Sequence, residues 1–140
     1  MNLDVEIEGV LLGAAIAIVA DIVWHYIEGK NRKKHSARLL YYDILSIKKY
    51  VDQYNQNPLE IYADLRYNVE WQKMLLELDF LSSEQIENVY DLYDAVYDFN
   101  YSEGRSWQEA CFDKINKIFQ SQEFDTLVKK IQCKAQIKRG

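Results

Sequence analysis

The stretch GVLLGAAIAIVADIVWHYI, residues 9–27, followed at once by EGKNRKKHSAR, residues 28–38, decides how the rest of the chain is read. From Val10 to Ala20 no side chain is charged or strongly polar, and extension to Ile27 adds only Asp21 and His25. At about 1.5 Å per residue these nineteen positions make a helix of about 28 Å, close to the ~30 Å hydrocarbon core of a bilayer. The uncharged run alone equally suits a buried helix of a soluble protein, so the flanks decide. Trp24 and Tyr26 sit where an interfacial aromatic belt belongs, and residues 30–38 carry Lys30, Arg32, Lys33, Lys34 and Arg38 with no acid among them. Because Lys and Arg stay on the cytoplasmic side, the acidic N-terminus (residues 1–8) is expected outside and the chain from residue 30 inside, at the inner (plasma) membrane. A secretory signal peptide would carry its positive charge before the apolar run, whereas here it comes after.

Energetics single out one residue of this segment. Nine Val, Leu and Ile side chains lie between positions 10 and 27. At roughly −0.3 to −0.6 kcal/mol each they contribute about −3 to −5 kcal/mol, and one Asp near the centre costs about +2.5 to +3.5. Insertion of a lone helix is therefore marginal, and an intramembrane carboxylate normally faces protein or water. With Gly13 at zero and about 100° per residue, Gly9, Ala17, Ala20, Asp21, Trp24 and Glu28 fall within about −40° to +80°. Leu11, Leu12, Ile16, Ile18, Val19, Ile22, Val23 and Tyr26 fall on the opposite arc. Gly9, Gly13 and Ala17 form a small-xxx-small ladder, and Asp21 with His25 one turn on offers polar contacts between helices. The expectation is a homo-oligomer assembled through Gly9, Gly13, Ala17, Ala20, Asp21 and His25. The plainer alternative is that small residues are common in membrane helices and that Asp21 snorkels to the interface; one Asp and one His are thin grounds for a pore.

Beyond the anchor, about 100 residues remain, enough for one core. The chain is 49% hydrophobic and 28% charged with a single Pro, which suits a folded helical protein rather than a disordered one. Its net charge of −5 conceals segmentation: residues 39–128 carry 17 acids against 7 bases, and residues 129–140 carry five bases and no acid. The fold class expected is all-α: a transmembrane helix (9–27), a basic juxtamembrane segment (28–38), a cytoplasmic bundle of about four to five helices (39–132) and a basic tail (133–140).

Within the bundle, Ala37, Leu40, Ile44, Ile47, Val51 and Tyr54 follow a 3,4 spacing that predicts a helix through Gln56, able to continue directly from the anchor. Asn57-Pro58 closes it. A second helical region is expected over residues 59–78, with Tyr62, Leu65 and Val69 on one stripe, Trp71, Leu75 and Leu78 on another, and a break near Asn68. Ser82 to Gln85 reads as a capping box opening a helix whose core face is Ile86, Val89, Tyr93, Val96 and Tyr97. Residues 100–106 read as a loop with Ser106 as N-cap of a helix carrying Trp107, Cys111, Ile115, Ile118 and Phe119. A last helix from about Gln122 presents Phe124, Leu127, Val128 and Ile131.

Chemistry is sparse. Cys111 and Cys133 lack metal-ligand or redox spacing and are expected to be free thiols on the reducing side. The only imidazoles are His25 and His35, so a histidine-centred base or zinc site in the bundle is excluded, and no catalytic residue, metal or cofactor is expected. Glu87, Asp91, Asp94 and Asp98 make an acidic stripe beside Tyr90, Tyr93, Tyr97 and Tyr101, which reads as a solvated face with packed tyrosines at its rim. Phosphate-loop, hydrolase-elbow and zinc-protease patterns are absent from the sequence, as is the Arg-x4–6-His pattern of the helical nucleases found in many bacterial defence systems. Lys30 to Arg38 fits anionic lipid headgroups and topology better than nucleic acid, because it adjoins the apolar run. The second basic block, from Lys129, fits the same lipid surface, a polyanionic partner or the C-terminal end of the last helix dipole.

In layout, the apolar run 9–27, the basic Lys30-Asn31-Arg32-Lys33-Lys34 and the stretch Leu39-Leu40-Tyr41-Tyr42-Asp43-Ile44 resemble small bacterial membrane-anchored proteins linked to mobile elements and anti-phage defence, including membrane accessory effectors of CRISPR systems. The resemblance implies an oligomeric membrane effector whose cytoplasmic domain answers a nucleotide ligand or a protein partner. It carries over no binding residue. The other reading is a tether that recruits a cytoplasmic protein through the acidic, Tyr-rich helices.

Overall fold

Between residues 3 and 56 there is no Pro, and apolar side chains recur at helical spacing, so nothing interrupts backbone hydrogen bonding until Asn57-Pro58. The computed structural model describes residues 3–57 and 64–137, and there these residues form one helix, α1 (Leu3–Gln56), of 54 residues. Asp4 and Glu6 in its first turn complement the positive end of the helix dipole. Four helices follow: α2 (Trp71–Leu76), α3 (Ser83–Tyr101), α4 (Arg105–Gln120) and α5 (Gln122–Lys134). No strand occurs among the described residues, in agreement with the all-α expectation.

The chain divides into two units, residues 1–33 and 34–140. In the second, the expected 3,4 stripe of α1 is the core face: Ala37, Leu40, Ile44, Ile47 and Val51 are each at most 1% exposed. They join Val89, Leu92, Tyr93, Val96 and Phe99 of α3, Cys111, Phe112 and Ile115 of α4, and Phe124, Leu127 and Ile131 of α5 in one buried cluster. The unit begins at Lys34, ahead of the sequence-based boundary at 39, and Ala135 inside the expected tail is fully buried.

Local chemistry explains the helix starts. Ser82 accepts from the Gln85 backbone N–H while the Gln85 side chain accepts from the Ser82 N–H, the reciprocal capping box read from the sequence. Ser121 accepts from the Phe124 N–H to open α5. At α4 the expectation fails: the N-cap is Gly104, not Ser106. Its φ of 100° is open to glycine and strained for any other residue, so the turn between α3 and α4 is set by backbone freedom and not by a side-chain cap.

The larger departure is the second helical region. Among the described residues of this region only Trp71–Leu76 is helical; residues 64–70 are irregular, and the expected start at Leu59, together with Tyr62, lies outside the described residues. Side chains take over the hydrogen bonds that a helix would have made. The Asn100 amide reads both sides of one peptide position, accepting from the Leu65 N–H at 2.7 Å and donating to the Leu65 carbonyl at 2.8 Å. The Asn68 N–H donates to Asp43 Oδ1 at 3.0 Å, and Asn68 Oδ1 accepts from the Glu70 N–H at 2.9 Å. Val69, assigned to a core stripe, is 82% exposed, and Tyr97 and Trp107 are 50% and 59% exposed. Leu65, Trp71, Leu75 and Leu78 are buried as their spacing suggested.

Asp43 is the polar centre of this packing. Its second oxygen accepts from the Tyr93 hydroxyl at 2.6 Å, and Trp71 stacks on the Tyr93 ring at 4.3 Å and 4°. One carboxylate thus ties α1 to the irregular segment and to α3. Burial pushes the Asp43 carboxyl above its ordinary value, and the hydrogen bonds from Tyr93 and Asn68 offset only part of that rise. The folded state therefore holds this proton to higher pH than the unfolded chain does, so the Asp43 contribution to stability falls as pH rises from near 4 through the raised value. Asp43→Asn should remove that dependence: in thermal melts of the full chain in detergent, the difference in midpoint between Asp43→Asn and wild type shifts in favour of the variant as pH rises through that window. A difference that moves the other way contradicts the assignment.

Candidate functional site: the uncovered apolar segment of α1

Every residue from 4 to 28 is exposed. Val10, Leu11, Leu12, Ile16, Ile18, Val19, Ile22 and Trp24 are each 59% to 73% exposed, so among the described residues none covers this most apolar part of the chain. This is the helix that could cross a membrane by length and composition. A soluble core helix of similar composition would have its apolar side chains buried.

The expected association residues lie along this segment. A Cβ added at Gly9 or Gly13 would meet nothing within 4 Å, so intrachain packing does not require glycine at either position. Glycine inside a helix costs about 1 kcal/mol relative to alanine in a soluble host. Asp21 and His25, one turn apart, approach to 3.4 Å between Oδ1 and Nε2, with side chains 70% and 69% exposed. The two polar groups of the apolar run therefore face each other along a single helix. The geometry leaves Gly9, Gly13, Ala17, Ala20, Asp21 and His25 all exposed.

Of the basic residues, Lys30, Arg32 and Lys33 are exposed and belong to the first unit. Lys34 and Arg38 belong to the second, where Arg38 Nη2 donates to the Ala135 carbonyl at 3.5 Å. Ala135 is the C-cap of α5, so a cation from α1 meets the negative end of the last helix dipole. Sequence reasoning missed this contact: it spans 97 residues, and only the role of α5's own lysines at that end was legible.

On the helical unit, Glu87, Asp91, Asp94 and Asp98 are exposed along α3 as expected. The neighbouring tyrosines grade from core to surface, Tyr93 at 1%, Tyr97 at 50% and Tyr101 at 69% exposed, with the last two rings 4.4 Å apart. Among the described residues no group of three His, Cys, Asp or Glu side chains gathers at metal-binding distance. Two open depressions of about 410 and 420 Å³ are lined by Ser82, Gln85 and Thr126, and by Lys49, Asp64 and Arg66 with their neighbours. Comparison with protein-family models, curated proteins and solved structures found no match to this chain.

Both cysteines are free, Cys111 buried and Cys133 exposed. Burial, reinforced by the Asp98 charge, pushes the Cys111 thiol up, which disfavours the reactive thiolate. A maleimide at neutral pH should therefore modify one thiol in the folded chain, Cys133, and two after denaturation; rapid modification of Cys111 in the folded protein contradicts this packing.

Proposed function

We propose that the protein is a single-pass membrane effector: residues 9–27 span the inner membrane with the N-terminus outside, the small and polar face of that helix joins copies together, and the cytoplasmic helical unit receives a trigger. The observation that carries the reading is that every residue from 4 to 28 is exposed, while the second unit has a buried core of its own. Apolar surface on this scale is covered by lipid or by other chains. The juxtamembrane cations Lys30, Arg32, Lys33, Lys34 and Arg38 support the inward orientation. The open space at Gly9 and Gly13, and the exposed Asp21–His25 pair, support a helix–helix contact outside the single chain. The layout resemblance to membrane effectors of anti-phage defence supports action on the bilayer in response to a nucleotide or protein signal. A second reading, a tether that recruits a cytoplasmic protein, draws on the exposed acidic residues and the Tyr97–Tyr101 pair of α3.

Self-association in the membrane should weaken about 3- to 30-fold in Asp21→Leu, the equivalent of ~0.6 to 2 kcal/mol for an interhelical polar contact. Gly13→Leu should weaken it by steric block, and Ile22→Leu on the aliphatic face should leave it unchanged, as read by energy transfer between labelled copies. Induced expression together with the neighbouring genes should depolarise cells, and Asp21→Leu or Gly13→Leu should abolish the effect. Full membrane occupancy with an unchanged potential overturns the effector reading and leaves the tether.

A further inference from the structure

The contact between Arg38 and the end of α5 brings together two basic blocks that are far apart in sequence. Arg38 Nη2 donates to the Ala135 carbonyl, and the adjacent Lys134 holds its ammonium 5.8 Å from the centroid of the Phe80 ring. Ser36 Oγ donates to Glu77 Oε2 at 2.7 Å, so the end of α2 meets the same part of α1. Lys34, His35, Arg38 and Lys134 thus share one end of the helical unit with the acids Glu77 and Asp79, and Lys138 and Arg139 follow in the sequence. The other two lysines of the basic C-terminal block are engaged elsewhere, Lys129 with Asp125 at 2.8 Å and Lys130 with Gln85 at 3.2 Å.

Lys34 follows Ile27 by seven positions and Arg38 by eleven, so the chain itself tethers this end of the helical unit to the end of the apolar run. The headgroup layer extends roughly 5 to 8 Å beyond the hydrocarbon, and the electrostatic field of an anionic leaflet reaches about 8 Å further at physiological salt. Under the membrane-spanning reading, a basic end tethered this close in sequence to Ile27 is offered to that layer.

We infer that this composite end of the helical unit, centred on Lys34, Arg38 and Lys134, docks on anionic lipid headgroups. The inference rests on the membrane-spanning reading of residues 9–27. Under it, the C-terminal end of α5 is held at the bilayer surface by charge donated from both ends of the unit, and the surface charge of the leaflet sets how closely the helical unit sits against it.

Cys133, exposed next to Lys134, provides the probe. The full chain, labelled there with bimane, is reconstituted into phosphatidylcholine vesicles with or without one-third phosphatidylglycerol, each containing a headgroup-nitroxide lipid. Quenching should be at least twofold stronger in the anionic vesicles. It should fall to the neutral-lipid level in ~1 M salt, where the screening length is about 3 Å, and in Lys34→Gln/Lys134→Gln, with continued protection of Cys111 reporting that this variant is folded. Alkaline-resistant insertion with equal quenching in both lipids overturns the docking inference alone. Extraction of the wild type by alkali overturns the membrane-spanning reading, and the inference with it.

Discussion

The structure depends on one constraint: among the described residues, none covers the apolar side chains of residues 10–27. Burying a Val, Leu or Ile side chain is worth about 1.5 to 3 kcal/mol. For the nine such residues in the segment, leaving them half-exposed in water forgoes on the order of 10 kcal/mol, comparable to the whole stability of a domain. An environment that supplies this burial must therefore be part of the protein's working state. The proposed bilayer supplies it and also accounts for the aromatic and basic residues that follow.

The helical unit is organised on a different principle. Its core is a conventional apolar cluster, but the path of the chain through residues 64–70 is held by side chains that replace backbone partners: Asp43 and Asn100, each contacting the irregular segment from a different helix. Buried polar contacts of this kind specify one arrangement because an unpaired alternative is expensive. Tyr93, 1% exposed, links this network to the aromatic stack with Trp71.

These features also mark where the sequence was legible. The 3,4 stripe of α1, the capping box at Ser82 and the core face of α3 through Val96 follow from periodicity and local capping, both of which act over one or two turns. Residues 64–70 did not follow, because Leu65 and Asn68 meet partners 35 and 25 residues away, which no local pattern encodes. Ser106 looked like a cap by composition, while Gly104 won through its φ of 100°. Gly9, Gly13, Ala17, Ala20, Asp21 and His25 are singled out by helical register alone; the exposure they share with every residue from 4 to 28 belongs to the whole segment. The composite end around Arg38 was not legible, since its two halves lie 97 residues apart.

The account stands on residues 9–27 crossing the membrane with the helical unit inside, and a membrane-impermeant maleimide measures this directly. In intact spheroplasts expressing Asp4→Cys, the account predicts modification at position 4 and none at Cys133 until the membrane is permeabilised. Modification of Cys133 in intact spheroplasts, or protection of both sites, would contradict it.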